Sequence, residues 1–595
     1  MIDDLLKPWG LLPLAVPLVL VAANRAAWLV LPNASRVERL AATAVLAMGL
    51  VHASVGVLGT FGVLTANALL GLFACLAIVT LALTIEVPGD SWWRTWPQVW
   101  PAALLTVPVV LIAVAAARLL PVWQWDSIGY HLPFVNFVIQ SGGFAGVPPD
   151  VRFISTYPHD IELGMVALRL MLPDDRLVDL AQLPYGLAGA VLTAALARTL
   201  GATSRLSALA GATWLTLPCV FLQLPTNYVD VGTGAALLGA LFFLVASPPS
   251  WRSMLLGGLA LGVFLGSKPS APLGAAALGA LALVRCVRAK QLPAFALLLV
   301  VAAVFGAEMY LVMLARHGNP VWPVAVQLGP LTLPGLRHVD ELLAAGAALP
   351  SASGSMVERL GVSWLAITSS PVFDMKVGGL GLPFLLALPL AIAALVRKRA
   401  PLLLAAVGIS LLSPDPSMAR YVLAFGALVL VLAMTQLSAL RRGHGWVVVS
   451  VIVTGAMQLW LSWPGLTGDG PSLETYWPMS DDARRVAVGP HGRPTDYPPL
   501  WDAVPRGDAI AFDEDFEFPG LLWSPALTSR VHALPADAAT SDAAAAFVEQ
   551  HRVRLLAIGP KSRHLAPPDR WRLRFSCRAA DCAVFERIDP RVAER

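Results

Sequence analysis

The residues able to do chemistry gather in a few short segments. Trp123-Gln-Trp-Asp-Ser-Ile-Gly-Tyr-His-Leu-Pro133 places Asp126 among aromatic side chains, just after an apolar run that ends near Leu120. A carboxylate in that position can take a proton from an attacking hydroxyl, or it can cap the helix that follows. Ser155-Thr-Tyr-Pro-His-Asp-Ile-Glu162 brings Tyr157, His159, Asp160 and Glu162 to the start of another short helix. Its two acids fit a polar pocket, and they also fit the first turn of a helix, where the dipole favours negative charge. Asp230 in Asn227-Tyr-Val-Asp230 carries the same two readings. Lys268, in Leu265-Gly-Ser-Lys-Pro-Ser270, and Arg420, followed by Tyr421, stand at the ends of apolar runs. Cations at that depth are costly and mark an anionic partner or ligand, a phosphate above all. Glu308, inside another apolar run, is a candidate partner for one of them, whereas Arg25 and His52 have no evident partner.

The elements that must position these groups are membrane helices. Of 595 residues 57% are hydrophobic and 13% charged, against about 25% charged in a soluble domain. The deficit is local. Residues 467–595 hold 16 Lys/Arg and 19 Asp/Glu, about 27% of that segment, and the remainder only about 10%. A span needs roughly 20 apolar residues, and apolar runs between charges and Pro/Gly breaks give about 14 candidates. They begin near residues 10, 40, 63, 99, 177, 206, 229, 252, 270, 291, 378, 401, 419 and 446. The expected architecture is an all-α polytopic membrane protein with a small extracytoplasmic α/β C-terminal domain. Additional N-terminal helices occupy 1–98, the main transmembrane module 99–466 and the soluble domain 467–595.

Basic residues set the orientation. Fourteen Lys/Arg fall on alternate connections: Arg36, Arg39, Arg94, Arg198, Arg205, Arg252, Arg285, Arg288, Lys290, Arg397, Lys398, Arg399, Arg441 and Arg442. Such residues favour the cytoplasmic side. Long loops 122–176 and 316–377, both termini and the C-terminal domain are then expected outside a bacterial-type cytoplasmic membrane. Met1-Ile-Asp-Asp lacks the positive start of a cleaved signal peptide, so the first apolar run reads as retained. A net charge of +4 without a basic block gives no reason to expect nucleic acid.

Two smaller features complete the reading. Tyr130, Phe134, Phe137 and Val138 recur with helical spacing, which predicts an amphipathic helix suited to lying on the membrane surface. In the tail, 508–512 and 553–558 read as buried strands, with a helix between them at 540–551. Cys577 and Cys582 flank a polar turn and fit either a disulfide in an oxidising compartment or two free thiols. The tail has no phosphate loop, nucleophile elbow or metal-ligand spacing.

Taken in order, these pieces resemble the GT-C superfamily of integral-membrane glycosyltransferases, in particular bacterial family 39, protein O-mannosyltransferases and aminoarabinose transferases. The resemblance rests on Trp125-Asp126 with Tyr130-His131, Tyr157-Pro158 with Glu162, and Asn227 with Asp230. It continues through Gly258, Gly262 and Lys268, Gly318-Asn-Pro-x-x-Pro323 and Arg420-Tyr421, over about residues 99–440. It implies a sugar donor carried on a polyprenyl phosphate and inverting single displacement onto an extracytoplasmic glycan, lipid or protein acceptor. Asp126 would be the base, Lys268 and Arg420 the phosphate ligands. Tyr130, His131, Tyr157, His159, Glu162, Asn227 and Asp230 would line the sugar or acceptor pocket. Many members show an Asp-Glu pair where this chain has Asp126-Ser127, which leaves the use of a divalent metal open, and no metal ligand is assigned. Three extra spans precede the one that usually comes first.

Two other classes compete. A secondary transporter would show internal repeats and helices broken at the bilayer midplane, whereas no convincing repeat is found and the polar residues gather at the outer boundary. A lipid-linked glycan polymerase or ligase would share the substrate but would place its key Arg and His residues in a late loop.

Overall fold

The computed structural model describes residues 7–83, 96–338, 355–365, 367, 379–490, 504, 507–535, 541–577 and 582–588, except 152, 399, 414, 441–443 and 469. Much of the expected loop 316–377, with Glu86, Asp90 and Arg94, lies outside the described residues.

The chain is a multi-pass helical membrane protein. A helix begins within four residues of each of the fourteen span starts read from the sequence. By length and composition, seven described helices can cross a bilayer, and Leu292–Gly306 with Glu308–His317, bent by 68°, makes an eighth. Five shorter apolar helices accompany them, so a total near fourteen requires tilted or incomplete crossings as well. Local chemistry sets the ends. Ser35 and Glu38 form a reciprocal capping box at the start of Arg36–Thr60, satisfying two backbone donors that helix entry leaves open. Small residues set the spacing. A Cβ on Gly306 would meet the Gly262 carbonyl oxygen at 2.2 Å, so the backbones of Trp251–Leu265 and Leu292–Gly306 touch, as packing between apolar helices in lipid favours. That contact fixes the helix whose end delivers Lys268.

Two of the unexplained polar residues find partners within the bundle. His52 Nε2 lies 2.6 Å from the Tyr185 hydroxyl. Arg25 donates to the Leu83 carbonyl at 3.1 Å.

Residues 122–182 form a chain of short helices: a π-helical turn at Ser127–His131, then Leu132–Ser141, Asp160–Met171 and a 3-10 turn at Val178–Gln182. A small sheet follows the bent pair, from β1 (Val324–Leu328), β2 (Leu331–Leu333) and β3 (Arg337–His338), in the order β2-β1-β3.

The C-terminal sheet comprises β4 (Ala509–Phe512), β5 (Arg530–Ala533), β6 (Val553–Ile558), β7 (Trp571–Cys577) and β8 (Cys582–Arg587), in the order β5-β4-β6-β8-β7. β4, β5 and β6 are parallel, β7 and β8 an antiparallel hairpin. Its apolar strands are buried because helix Ser541–Gln550 covers one part of the sheet and the short helices of residues 122–182 another. The hairpin register sets Cys577 opposite Cys582. Their side chains lie outside the described residues, and so does the expected disulfide.

One expectation is corrected here. Phe134, Phe137 and Val138 do share a buried helical face, but it does not lie on lipid. Phe137 packs edge-on to Trp523 with centroids 4.9 Å apart, and Phe134 stacks on His159 at 3.8 Å. Amphipathic spacing tells which face is buried, and a protein surface satisfies it as well as a bilayer does.

Candidate active site

The π-helical turn sits at the head of the site. Leu132 N–H donates back to the Ser127 carbonyl, the wider i to i+5 closure that recurs at functional positions. It presents Asp126, Tyr130 and His131 from one short stretch. Asp126 Oδ2 accepts from Arg420 Nη1 at 3.0 Å, and the same nitrogen lies 3.5 Å from Asp230 Oδ2. Asp230 Oδ1 in turn is ion-paired with Lys268 Nζ. The four side chains thus alternate in sign, Asp126–Arg420–Asp230–Lys268, with exposures of 14%, 10%, 2% and 17%. They come from the residue before the π-helical turn, the start of Ala419–Ser438, the first residue of Asp230–Leu241 and the connection that follows the glycine-packed helix.

Aromatic rings frame the charges. Arg420 lies 5.3 Å from the Tyr228 ring centroid and 5.2 Å from that of Tyr421, and Lys268 Nζ sits 4.3 Å over Tyr421. Rings at that distance attract cations through their quadrupoles. The Tyr228 hydroxyl also accepts from the Asp126 backbone N–H at 3.4 Å. Burial would push the Asp126 carboxyl upward, but the charges of Arg420, His131 and Lys268, with the Arg420 hydrogen bond, hold it below the usual carboxylate range. It is an anion at neutral pH.

A second polar group adjoins the first through the same turn. Glu162 Oε1 lies 2.7 Å from His131 Nδ1 and 3.2 Å from His159 Nδ1, all three side chains being buried. Burial alone would raise the Glu162 carboxyl, yet the two imidazoles pull it down to about 2. The Tyr130 ring packs at a tilt against His131 and lies edge-on to Tyr157. Asp160 behaves in the opposite way. Burial first, then the nearby Glu308 and Glu162 carboxylates, push it well above its ordinary value, which favours its protonated form.

Two clefts border these groups. One, of about 460 Å³, is lined by Asp230, Lys268, Ser413, Arg420 and Tyr421 with apolar Phe264. The other, of about 750 Å³, is lined by Phe134, His159, Asp160, Glu308 and Arg316. Glu308 therefore faces Asp160, and among the described residues it pairs with neither Lys268 nor Arg420.

Of the residues singled out in the sequence, Asp126, Tyr130, His131, Tyr157, His159, Glu162, Asp230, Lys268 and Arg420 converge. Asn227 stands apart. It is fully buried and its amide donates to Asp179 Oδ1, beneath the helix that Asp230 opens. Sequence reasoning passed over Tyr228, which lies between Asn227 and Asp230, and Asp179, whose partner is 48 residues away. Tyr228 had a signal in its place beside the first residue of an acid-headed helix. Asp179 had none. Among the described residues no group of three or more His, Cys, Asp or Glu side chains is arranged to hold a metal ion.

Fold and site are those of a polytopic helical membrane protein with a cluster of ion-paired side chains at its helix ends. No family model and no curated protein matches the sequence. Two solved structures of ArnT from Cupriavidus metallidurans share the fold. The apo state is 15% identical, covering 84% of this chain and 99% of ArnT at a TM-score of 0.51. The form bound to undecaprenyl phosphate is 14% identical, covering 82% and 98% at 0.50. The archaeal oligosaccharyltransferase AglB from Archaeoglobus fulgidus, in complex with an inhibitory peptide and a dolichol phosphate, matches at 12% identity. It covers 80% of this chain and 70% of its own, and its TM-score of 0.32 is too low to carry inference.

Proposed function

We propose that the protein is a membrane glycosyltransferase that moves a sugar from a polyprenyl-phosphate donor to a hydroxyl of an extracytoplasmic glycan, lipid or protein, with inversion. The observation that carries this is a half-buried carboxylate, Asp126, ion-paired to a cation that shares a cleft with a second cation, Lys268. Both cations keep hydrogen-bond capacity. An ammonium has three donors and a guanidinium five, and Arg420 Nε is buried with no partner among the described residues. A phosphate in that cleft finds unused donors on each. ArnT, solved with undecaprenyl phosphate bound, supports a ligand of this class.

In the reaction the acceptor oxygen attacks the anomeric carbon and its proton passes to Asp126. The bond from the anomeric carbon to the phosphate oxygen breaks, and its electron pair leaves with the lipid phosphate. Arg420 and Lys268 meet the charge that develops there, as preorganised donors do in a water-poor site. The ion pair between Asp126 and Arg420 makes the carboxylate a poor base at rest. A bound phosphate draws on Arg420, weakens that pair and lets the basicity of Asp126 rise when substrate is present. His131, His159 and Glu162 hold the adjoining wall, where the sugar or acceptor sits. The distribution of Lys and Arg supports a bacterial-type cytoplasmic membrane with the site and the C-terminal domain outside.

Native mass spectrometry of the purified protein with added polyprenyl phosphate tests the reading. Retention of the lipid by the wild type and its loss in Lys268→Ala and Arg420→Ala is the expected result. A protein that binds none refutes it.

A further inference from the structure

We propose that the Glu517–Gly520 segment of the C-terminal domain is a positioning element of the active site, holding the turn 125–131 where Asp126 meets Arg420. The consequence for turnover rests on the glycosyltransferase reading; the positioning itself does not.

Three contacts converge on that turn and the helix it opens. Gly520 lies directly against it, since a Cβ there would sit 2.7 Å from the Ile128 carbonyl oxygen and 3.0 Å from Ile128 Cα. Both are backbone atoms of the π-helical turn and cannot swing aside. Trp125, next to the proposed base, donates from Nε1 to Glu517 Oε1 at 2.9 Å, and its ring meets Phe518 edge-on. Further along, Gln140 treats edge strand β5 as a neighbouring strand would. Its amide nitrogen donates to the Val531 carbonyl and its oxygen accepts from Val531 N–H, both at 3.0 Å. Trp523 Nε1 donates to the same oxygen at 3.2 Å.

These bonds add to the anchors that His131 makes with Glu162 and Asp126 with Arg420, and they grip the turn at Trp125 and Ile128, which those anchors do not reach. A π-helical closure is rare, and Asp126 itself is held from the other side by the ion pair with Arg420 and by the Tyr228 hydroxyl on its backbone N–H. The C-terminal domain covers the opposite side of the turn. Among the described residues its side chains make no hydrogen bond or ion pair to Lys268 or Arg420, so the positioning acts on the base and spares the phosphate site.

Full-length Gly520→Val, Glu517→Ala and Glu517→Gln would be compared by hydrogen exchange over residues 124–132, affinity for polyprenyl phosphate, and sugar transfer. Overpacking against backbone should raise exchange in Gly520→Val roughly tenfold. A displacement near 1 Å should lower turnover by about 10²-fold, with lipid-phosphate affinity within about twofold. Glu517→Ala should show a smaller rise in exchange, which Glu517→Gln, retaining the acceptor oxygen, reverses. If Gly520→Val does not fold, the Glu517 pair carries the test. Unchanged exchange over 124–132 in folded variants overturns the proposal, as does an equal loss of lipid-phosphate affinity and turnover. Raised exchange in a protein whose wild type transfers no sugar supports the positioning and defeats the transferase reading alone.

Discussion

The chain Asp126–Arg420–Asp230–Lys268 and the group His131–Glu162–His159 share the turn 126–131, yet they solve burial differently. In the first, two acids and two cations alternate and each charge has an opposite neighbour. In the second, one carboxylate oxygen serves two imidazoles, with Glu162 Oε2 and His159 Nε2 left without partners among the described residues. The first balances formal charge while keeping spare donors on both cations, which suits a site that must admit an anion. The second concentrates hydrogen bonding on one atom, which suits a fixed wall. The difference separates a group that exchanges partners during a reaction from one that keeps them.

Substitutions in the first cluster should show the larger effects. Asp126→Asn removes the proposed base while preserving shape, so transfer should fall by about 10²–10⁴-fold with lipid-phosphate binding retained. A rate near wild type in a radiolabel transfer assay would break the assignment. Arg420→Ala leaves Asp126 and Asp230 facing each other with Lys268 as the single cation. Breaking a buried pair from one side costs about 3–5 kcal/mol, and this should appear as a clear fall in the detergent melting temperature. Arg420→Lys should recover part of it, because an ammonium restores the charge but not the planar guanidinium with its spare donors.

How much of this was legible depended on the range of the interaction. Span starts, the α/β tail and the polar segments are written in local composition, and the nine converging residues were found because each sits at a helix end or beside one. Register between distant segments is not local. Nothing near Asn227 announces that its amide serves Asp179, and nothing near Glu308 announces that it faces Asp160. The helix face of Phe134, Phe137 and Val138 was read as apolar and assigned to lipid, since periodicity carries no information about what covers a face. The π-helical turn was equally invisible, because Ser127–His131 contains no residue type that demands an i to i+5 closure.

Within the second cluster, Glu162→Gln tests whether the carboxylate holds the wall by charge. The folded-state value of about 2 lies below the ordinary 4.5, so its contribution is complete above pH 4.5 and is lost as pH falls towards 2. That depression amounts to at most about 3 kcal/mol. Melting of the wild type between pH 4.5 and 2 should therefore fall more steeply than that of Glu162→Gln, and the two curves should converge at the acid end. Parallel curves would mean that hydrogen bonding, not charge, holds the imidazoles.

Tyr228→Phe offers the smallest and most discriminating change. The hydroxyl accepts from the Asp126 N–H at a long 3.4 Å while the ring faces Arg420. Phenylalanine keeps the ring and deletes the acceptor, so about 0.5–1.5 kcal/mol of support for the turn should be lost, with the cation contact intact. If Asp126 is held chiefly by Arg420, transfer should fall by no more than about tenfold, which is 1.4 kcal/mol. A loss as large as that of Asp126→Asn would mean that backbone placement of the turn governs the base more than its ion pair. The distinction drawn between an exchanging cluster and a fixed one would then shift to the backbone of residues 126–131.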